Sequence, residues 1–313
     1  MWATRSKQSV DGWASILLSN GRMDLARLRS LRGNGQPVLV ACESYVMEGD
    51  EMEALKRLRS AKKFEGVHCT TLMQHGDYQL LQADKPEVSG AELRDAVRWR
   101  IKELVDFPVE RAVVDVLDIP GPHAPGRGAQ IFVVAAPSDR VAPRIHLFQD
   151  AKVPLEAIDI PELALRNVAN LFEQENHGLA LLAFDNEGGY LIFTYLGELL
   201  ASRFIDVRRD ALAAVAEGDT GLYDKVLLDV QRSLDNFERV HSYAALTRVL
   251  VAALPGGNAF IDYLKSNLYQ PVEILDLSAV MDLDAVPALQ DPVRQAEALL
   301  AIGAAMRSSV GTS

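Results

Sequence analysis

The sequence predicts an α/β protein in which one unit is repeated and a smaller α+β module is set into the first copy. Residues 178–206, GLALLAFDNEGGYLIFTYLGELLASRFID, read as three strands joined by tight turns at Asn186-Glu187-Gly188-Gly189 and Gly197-Glu198. A matching pattern stands near the N-terminus: GWASILLSNGRMDLARL turns at Asn20-Gly21, and PVLVACESY supplies a third strand. Helical periodicity follows each meander, so the two halves are expected to face one another across a cleft.

The elements follow in order. Met52, Leu55 and Leu58 lie at helical spacing and predict a helix over 50–64. VHCTTLM and YQLLQAD flank Gln74-His75-Gly76-Asp77 and are expected to pair as a hairpin. Ser89 and Glu92 form a capping box opening a helix that runs to Asp106, before Pro108, with Leu93, Val97, Ile101 and Leu104 as its buried face. RAVVDVLD and IFVVAAP predict strands on either side of the Pro- and Gly-rich loop 120–128, and SDRVAPRIHLFQDA predicts a helix. VPLEAIDIPELALRNVANLF gives a short strand and a helix leading into the second meander.

In the second half, Leu227, Val230, Leu234 and Phe237 stripe a long helix over 222–243. LTRVLVAAL, the turn Pro255-Gly256-Gly257, AFIDYLKSNL and PVEILDL then predict strand, turn, helix and edge strand. The alanine-rich helix 292–306 is expected to pack back on the first half. The expected boundaries are 1–66 for the first subdomain, with 155–175 and the C-terminal helix 292–307; 67–154 for the inserted module; and 176–291 for the second subdomain.

A chain of 313 residues, 49% hydrophobic and 24% charged, is long enough for two domains and is neither disordered nor fibrous. Its net charge of -11 argues against a nucleic-acid surface, which needs clustered Lys and Arg. The basic runs RLRSLR (27–32) and KRLRSAKK (56–63) read as solvated faces. Cys42 and Cys69 each sit in a strand-like run, far apart, and read as buried free thiols. The histidines show no ligand spacing, so no metal site is predicted. No apolar run approaches the roughly 18 to 20 residues of a membrane-spanning helix, and no basic segment followed by an apolar core opens the chain. The expectation is a soluble, unexported protein without direct membrane insertion.

Five segments carry a resemblance: AELRDAVRWRIKELVDFPVERAVVDV, VPLEAIDIPELALRNV, LGELLASRFIDV, LLDVQRSLDNFERV and VLVAALPGGNAFIDYLKSNL. In order and spacing, over nearly the whole chain, they resemble the PilM family of type IV pilus assembly proteins, and most closely its MSHA-pilus biogenesis branch, MshI. The resemblance implies an actin-like (ribonuclease H-like) duplicated fold with an inserted module. It implies a cytoplasmic scaffold that sits at the inner membrane by gripping the N-terminal cytoplasmic tail of a bitopic, PilN-like or MshJ-like partner. Trp99, opposite the apolar stripe of its helix, and Phe107, in the Phe-Pro that ends it, are the candidate partner contacts.

Actin-like sites hold nucleotide phosphates with the turns of both meanders, and an Asp at the end of the first strand usually positions magnesium. Here Ser15 to Leu18 lead to Ser19-Asn20-Gly21 with no Asp before Asp24. The second meander keeps Asp185, Gly188 and Gly189, but Asn186 and Glu187 replace the small and hydroxyl residues a phosphate prefers, and the added carboxylate repels it. Gly256 and Gly257 mark the adenosine-side turn. Asp185, Gly188, Gly189, Gly256 and Gly257 are thus the candidate nucleotide contacts of a degenerate site, with no cofactor or weakly bound ATP and magnesium. No catalytic set stands out elsewhere. The alternatives are an ATP-binding switch or ATPase in the same machine, and a sugar-kinase-like enzyme on the same architecture.

Overall fold

The computed structural model describes residues 12–29, 36–61, 67–88, 90–122, 128–216 and 218–307. In chain order the first half comprises β1 (Trp13–Ser19), β2 (Arg22–Arg29), β3 (Val38–Val46), α1 (Glu51–Ala61), β4 (His68–Leu72), β5 (Gln79–Asp84), α2 (Ala91–Arg100), β6 (Ala112–Asp118), β7 (Gln130–Pro137), α3 (Ser138–Asp150), β8 (Leu155–Asp159) and α4 (Pro161–Ala169). The second comprises β9 (Gly178–Phe184), β10 (Gly189–Tyr195), β11 (Glu198–Ile205), α5 (Arg209–Ala213), α6 (Gly221–Val240), β12 (Leu246–Val251), α7 (Ala259–Asn267), β13 (Val272–Ile274) and α8 (Pro292–Ala305). Ser89, the end of the first helix at 62–64, the later part of RLRSLR and loop residues 123–127 lie outside the described residues.

The duplication is explicit in the topology. One sheet runs β3-β2-β1-β4-β8 and the other β11-β10-β9-β12-β13: an antiparallel meander with two parallel strands added beside its first strand. Asn20-Gly21 closes the first hairpin with both residues at positive φ, 49° and 72°, the twist a two-residue hairpin loop requires. The corresponding turn in the second copy is Leu196-Gly197, at 54° and 78°, one residue earlier than the sequence indicates. Glu198 instead opens β11.

A second difference concerns β4. It does not form a hairpin with β5 but pairs in parallel with β1 and β8 inside the first sheet. Cys69, Thr70, Thr71 and Leu72 are all buried, so both faces of β4 are covered, as an interior parallel strand demands. Residues Gln74 to Asp77 have turn chemistry, yet they lead the chain out of this sheet rather than back along it. The three-stranded antiparallel sheet is β5-β7-β6. α3 also packs on the first sheet, where Phe148 joins Leu55, Leu58 and Ile16. Both β4 and α3, placed within 67–154 by the sequence, therefore pack with the first lobe. Between the fourth and fifth strands the first copy carries the small sheet, α2 and α3; the second copy carries α7.

α2 covers one face of the small sheet, with Val97 and Ile101 buried against Val114, Ile131 and Val133. It ends at Arg100 rather than Asp106, and its N-cap is Gly90 without a side-chain cap. Ile101 (φ -88°, ψ 1°) leaves helical geometry, and the turns that follow bring Val105, Phe107 and Val109 to the sheet. Leu104 rotates away and is 55% exposed.

The helices after the fifth strand of each copy, α4 and α8, pack against one another. Ser15 Oγ donates to Ala301 O at 2.6 Å and Asn167 Nδ2 to Gly303 O at 2.9 Å, tying α8 to β1 and α4. On the second sheet, α6 buries Val230, Leu234 and Phe237 along its stripe, each such side chain contributing about 1.5–3 kcal/mol relative to exposure.

Candidate functional site

The two meanders and α8 enclose a cleft of about 600 Å³. The first meander contributes Leu17, Ser19, Arg22, Asp24, Cys42, Glu43 and Ser44; the second contributes Phe184 to Glu187 and Tyr190; α8 contributes Arg294 and Glu297. The polar atoms of the first wall bond to one another: Arg22 donates to Ser44 at 2.6 Å, Ser44 to Asp24, and Tyr45 to Glu43. Burial and the neighbouring carboxylates of Asp24 and Glu43 push the Cys42 thiol up to about 12, so it is a poor nucleophile. The carboxylates of Asp24, Glu43, Asp185, Glu187 and Glu297 face Arg22, Arg209 and Arg294, and Arg294 is itself paired with Glu297 at 2.8 Å.

The turn after β9 shows how the second wall is held. Asp185 Oδ1 accepts from the backbone N–H of Glu187 at 2.7 Å and of Gly188 at 2.9 Å, while the Asp185 N–H donates to Gly188 O at 2.8 Å. These are the N–H groups with which such a turn would hold an anion, and they are already bonded. Burial raises the Asp185 pKa; the two N–H bonds and the charges of Arg209 and His75 act against it. Gly188 and Gly189 are explained by packing. A Cβ at Gly188 would stand 2.3 Å from the Phe204 ring, and one at Gly189 2.4 Å from the Phe184 ring.

Of the other sequence candidates, Gly256 and Gly257 form the turn after β12 and do not line the cleft. Trp99 stands on the inserted module, 61% exposed, with Lys102 Nζ 5.4 Å from its ring centroid. Phe107 is half-buried against the core of that module. The structure thus puts Asp185 at the cleft wall, with Gly188 and Gly189 in the same turn behind it and not lining the cleft, and leaves the remaining four elsewhere. Among the described residues no group of three or more His, Cys, Asp or Glu side chains is placed to hold a metal ion.

The residues that join the lobes were not evident from the sequence. Glu187 Oε2 accepts from the His75 N–H at 2.9 Å, across 112 residues of chain. The His75 ring stacks on Phe204, with centroids 3.4 Å apart and planes 8° from parallel, and Tyr190 meets both rings edge-on. Burial raises the Glu187 pKa and lowers that of His75. Nearby, the Tyr78 hydroxyl donates to Glu162 Oε2 at 2.5 Å; both groups are buried, and burial raises the pKa of each. The Tyr190 hydroxyl is buried and has no hydrogen-bond partner among the described residues.

No protein-family model matches the sequence, and no curated protein does. Solved structures do. The chain overlays one from a PilM-PilN type IV pilus biogenesis complex with a TM-score of 0.69 at 20% identity, over 96% of this chain and 99% of that one. A protein with an actin-like ATPase fold from Bacteroides thetaiotaomicron matches with a TM-score of 0.49 at 10% identity, over 93% and 100%. The cytoplasmic domain of EpsL, an inner-membrane component of the type II secretion system of Vibrio cholerae, matches with a TM-score of 0.48 at 13% identity, over 91% and 93%. The chain has an actin-like α/β fold, with two mixed sheets and a small inserted antiparallel sheet.

Proposed function

We propose that this protein is a scaffold of a type IV pilus assembly platform, held at the cytoplasmic face of the inner membrane by the N-terminal tail of a bitopic partner. The observation that carries this reading is the likeness to a chain of the PilM-PilN complex over 96% of one chain and 99% of the other, inserted module included. The MSHA-type pilus, with an MshJ-like partner, is the system to which the sequence resemblance points. No described helix is long and apolar enough to cross a membrane, so a tethering partner supplies what the described part of the chain does not. Trp99, an exposed indole on the module, and Phe107, half-buried on the same module, are the proposed partner contacts.

The cleft residues do not fit a magnesium nucleotide. Asp185 already occupies the two turn amides, Glu187 adds a carboxylate where phosphate charge would lie, and the end of β1 offers Ser19 rather than a metal-positioning acid. We therefore read the site as degenerate. A nucleotide-operated switch is the second reading, favoured by the position and volume of the cleft, about 600 Å³, which lies within the range of ligand pockets.

Calorimetric titration of the purified protein with a synthetic peptide of the partner's cytoplasmic tail tests the scaffold reading. Saturable binding without added nucleotide is expected. Absence of binding to tails of pilus-type partners, or equal sedimentation with partner-free and partner-bearing anionic vesicles, would remove it.

A further inference from the structure

The chain enters the inserted module through residues Gln74 to Tyr78, and this root is fastened to the second lobe at the turn that also walls the cleft. Glu187 holds the His75 N–H from one side, and the Phe204 ring lies flat on the His75 imidazole from the other. Phe204 in turn lies over Gly188, where even a methyl group would not fit, so the turn, the ring and the imidazole form one stack. The shape of that turn depends on Asp185, whose carboxylate holds the N–H groups of Glu187 and Gly188.

We infer that the turn Asp185–Gly188 is a latch coupling the cleft to the inserted module: what disturbs the turn from the cleft side releases His75, and movement of the module loosens the turn. In the latched state Asp185 caps the turn, Glu187 holds His75 and the stack is closed. In the released state Asp185 has left the two amides and Glu187 no longer points at His75, while the root keeps its bonds from Gln74 to Leu18 O and from Tyr78 to Glu162. Coupling of this kind is reciprocal, since it is one free energy read from either end. Packed rings favour two discrete arrangements over a continuous drift. A second contact limits the motion: Tyr243 Oη donates to Pro120 O at 2.9 Å, and a Cβ on Gly121 would stand 2.3 Å from the Tyr243 ring. One face of the module sheet is also packed, with Phe132 and Ala136 in the core that holds Leu163 and Tyr190, so release at His75 loosens the root and not the whole module.

The latch belongs to the chain alone and does not rest on the pilus reading, so it is tested without partner or nucleotide. Native-state amide hydrogen exchange is measured by NMR on the full chain and on the Glu187→Ala, Glu187→Gln and His75→Ala variants. In Glu187→Ala the amides of His75 and of β5 should exchange about tenfold faster, while Glu187→Gln, which keeps an acceptor, should stay near wild type. In His75→Ala the amides of Glu187 and Gly188, which bond to Asp185 and not to residue 75, should also accelerate. The inference is overturned if only the altered residue's own contact changes. It is equally overturned if β2 accelerates as much as β5, since that is a general loss of stability.

Discussion

A Cβ placed on Gly303 would stand 2.1 Å from the carbonyl oxygen of Ala164, so α8 and α4 meet backbone to backbone at this point. No side chain can move aside to relieve that contact. Gly303→Ala should gain about 1 kcal/mol in helix propensity and lose more, about 1–3 kcal/mol, by forcing the two helices apart. Urea denaturation of both proteins should show a lower midpoint for the variant. A variant as stable as wild type or more so would mean that the helices separate without cost.

Millimolar ATP with magnesium should leave the melting temperature of the wild type unchanged. A ligand at a hundred times its dissociation constant would stabilise the fold by about 2.7 kcal/mol, readily seen as a shift. A magnesium-dependent rise that disappears in Asp185→Ala would favour the nucleotide switch over the scaffold with a degenerate site.

Trp99→Ala should fold normally, with stability within about 0.5 kcal/mol of wild type, because the indole is exposed. Its affinity for the partner tail should fall by about tenfold or more if the indole anchors the interface. Phe107→Ala should behave differently, losing about 1–3 kcal/mol of stability by opening the module core. Titration and melting together separate the two roles; unchanged tail affinity in Trp99→Ala would take that residue out of the interface.

Glu162→Gln should melt higher than wild type at neutral and mildly alkaline pH. Burial raises the Glu162 pKa above its ordinary 4.5, so the folded state binds this proton more tightly than the unfolded chain does. Its contribution is fully present below about pH 4.5 and is lost as pH rises through the elevated folded value. Glutamine keeps an acceptor for Tyr78 and carries no charge at any pH, so the advantage of the variant should shrink toward pH 4.5. Melting curves between pH 4.5 and 8.5 check this, and a difference that stays constant across the range would show that Glu162 does not titrate in folding.

The meanders were legible because local chemistry dictates them: Asn20-Gly21 encodes a tight turn, and the strands beside it alternate or run wholly apolar. α6 was legible for the same reason, through a stripe of one period. β4 was misread because Gln74 to Asp77 carry turn residues whether the chain folds back or crosses to another sheet; the choice is made by β1 and β8, which bury both faces of β4. Leu104 was misplaced because the helix loosens after Ile101 to deliver Val105 and Phe107, a demand of the sheet beneath it. Asp185 could be nominated from its turn, whereas its bonds to the next residues are a matter of geometry. His75, Phe204 and Glu162 act across long stretches of chain, and no periodicity marks such contacts.

The self-capped turn at Asp185 has a consequence for any anion that enters the cleft. In effect the chain carries a tethered anion of its own, permanently at hand at very high local concentration. Any phosphate arriving from solution competes with a carboxylate that never diffuses away, and must evict it into a wall that already holds Glu187. Removing Asp185 alone would free the two amides and leave Glu187 and Ser19 where they are, so one substitution does not make the turn a phosphate site.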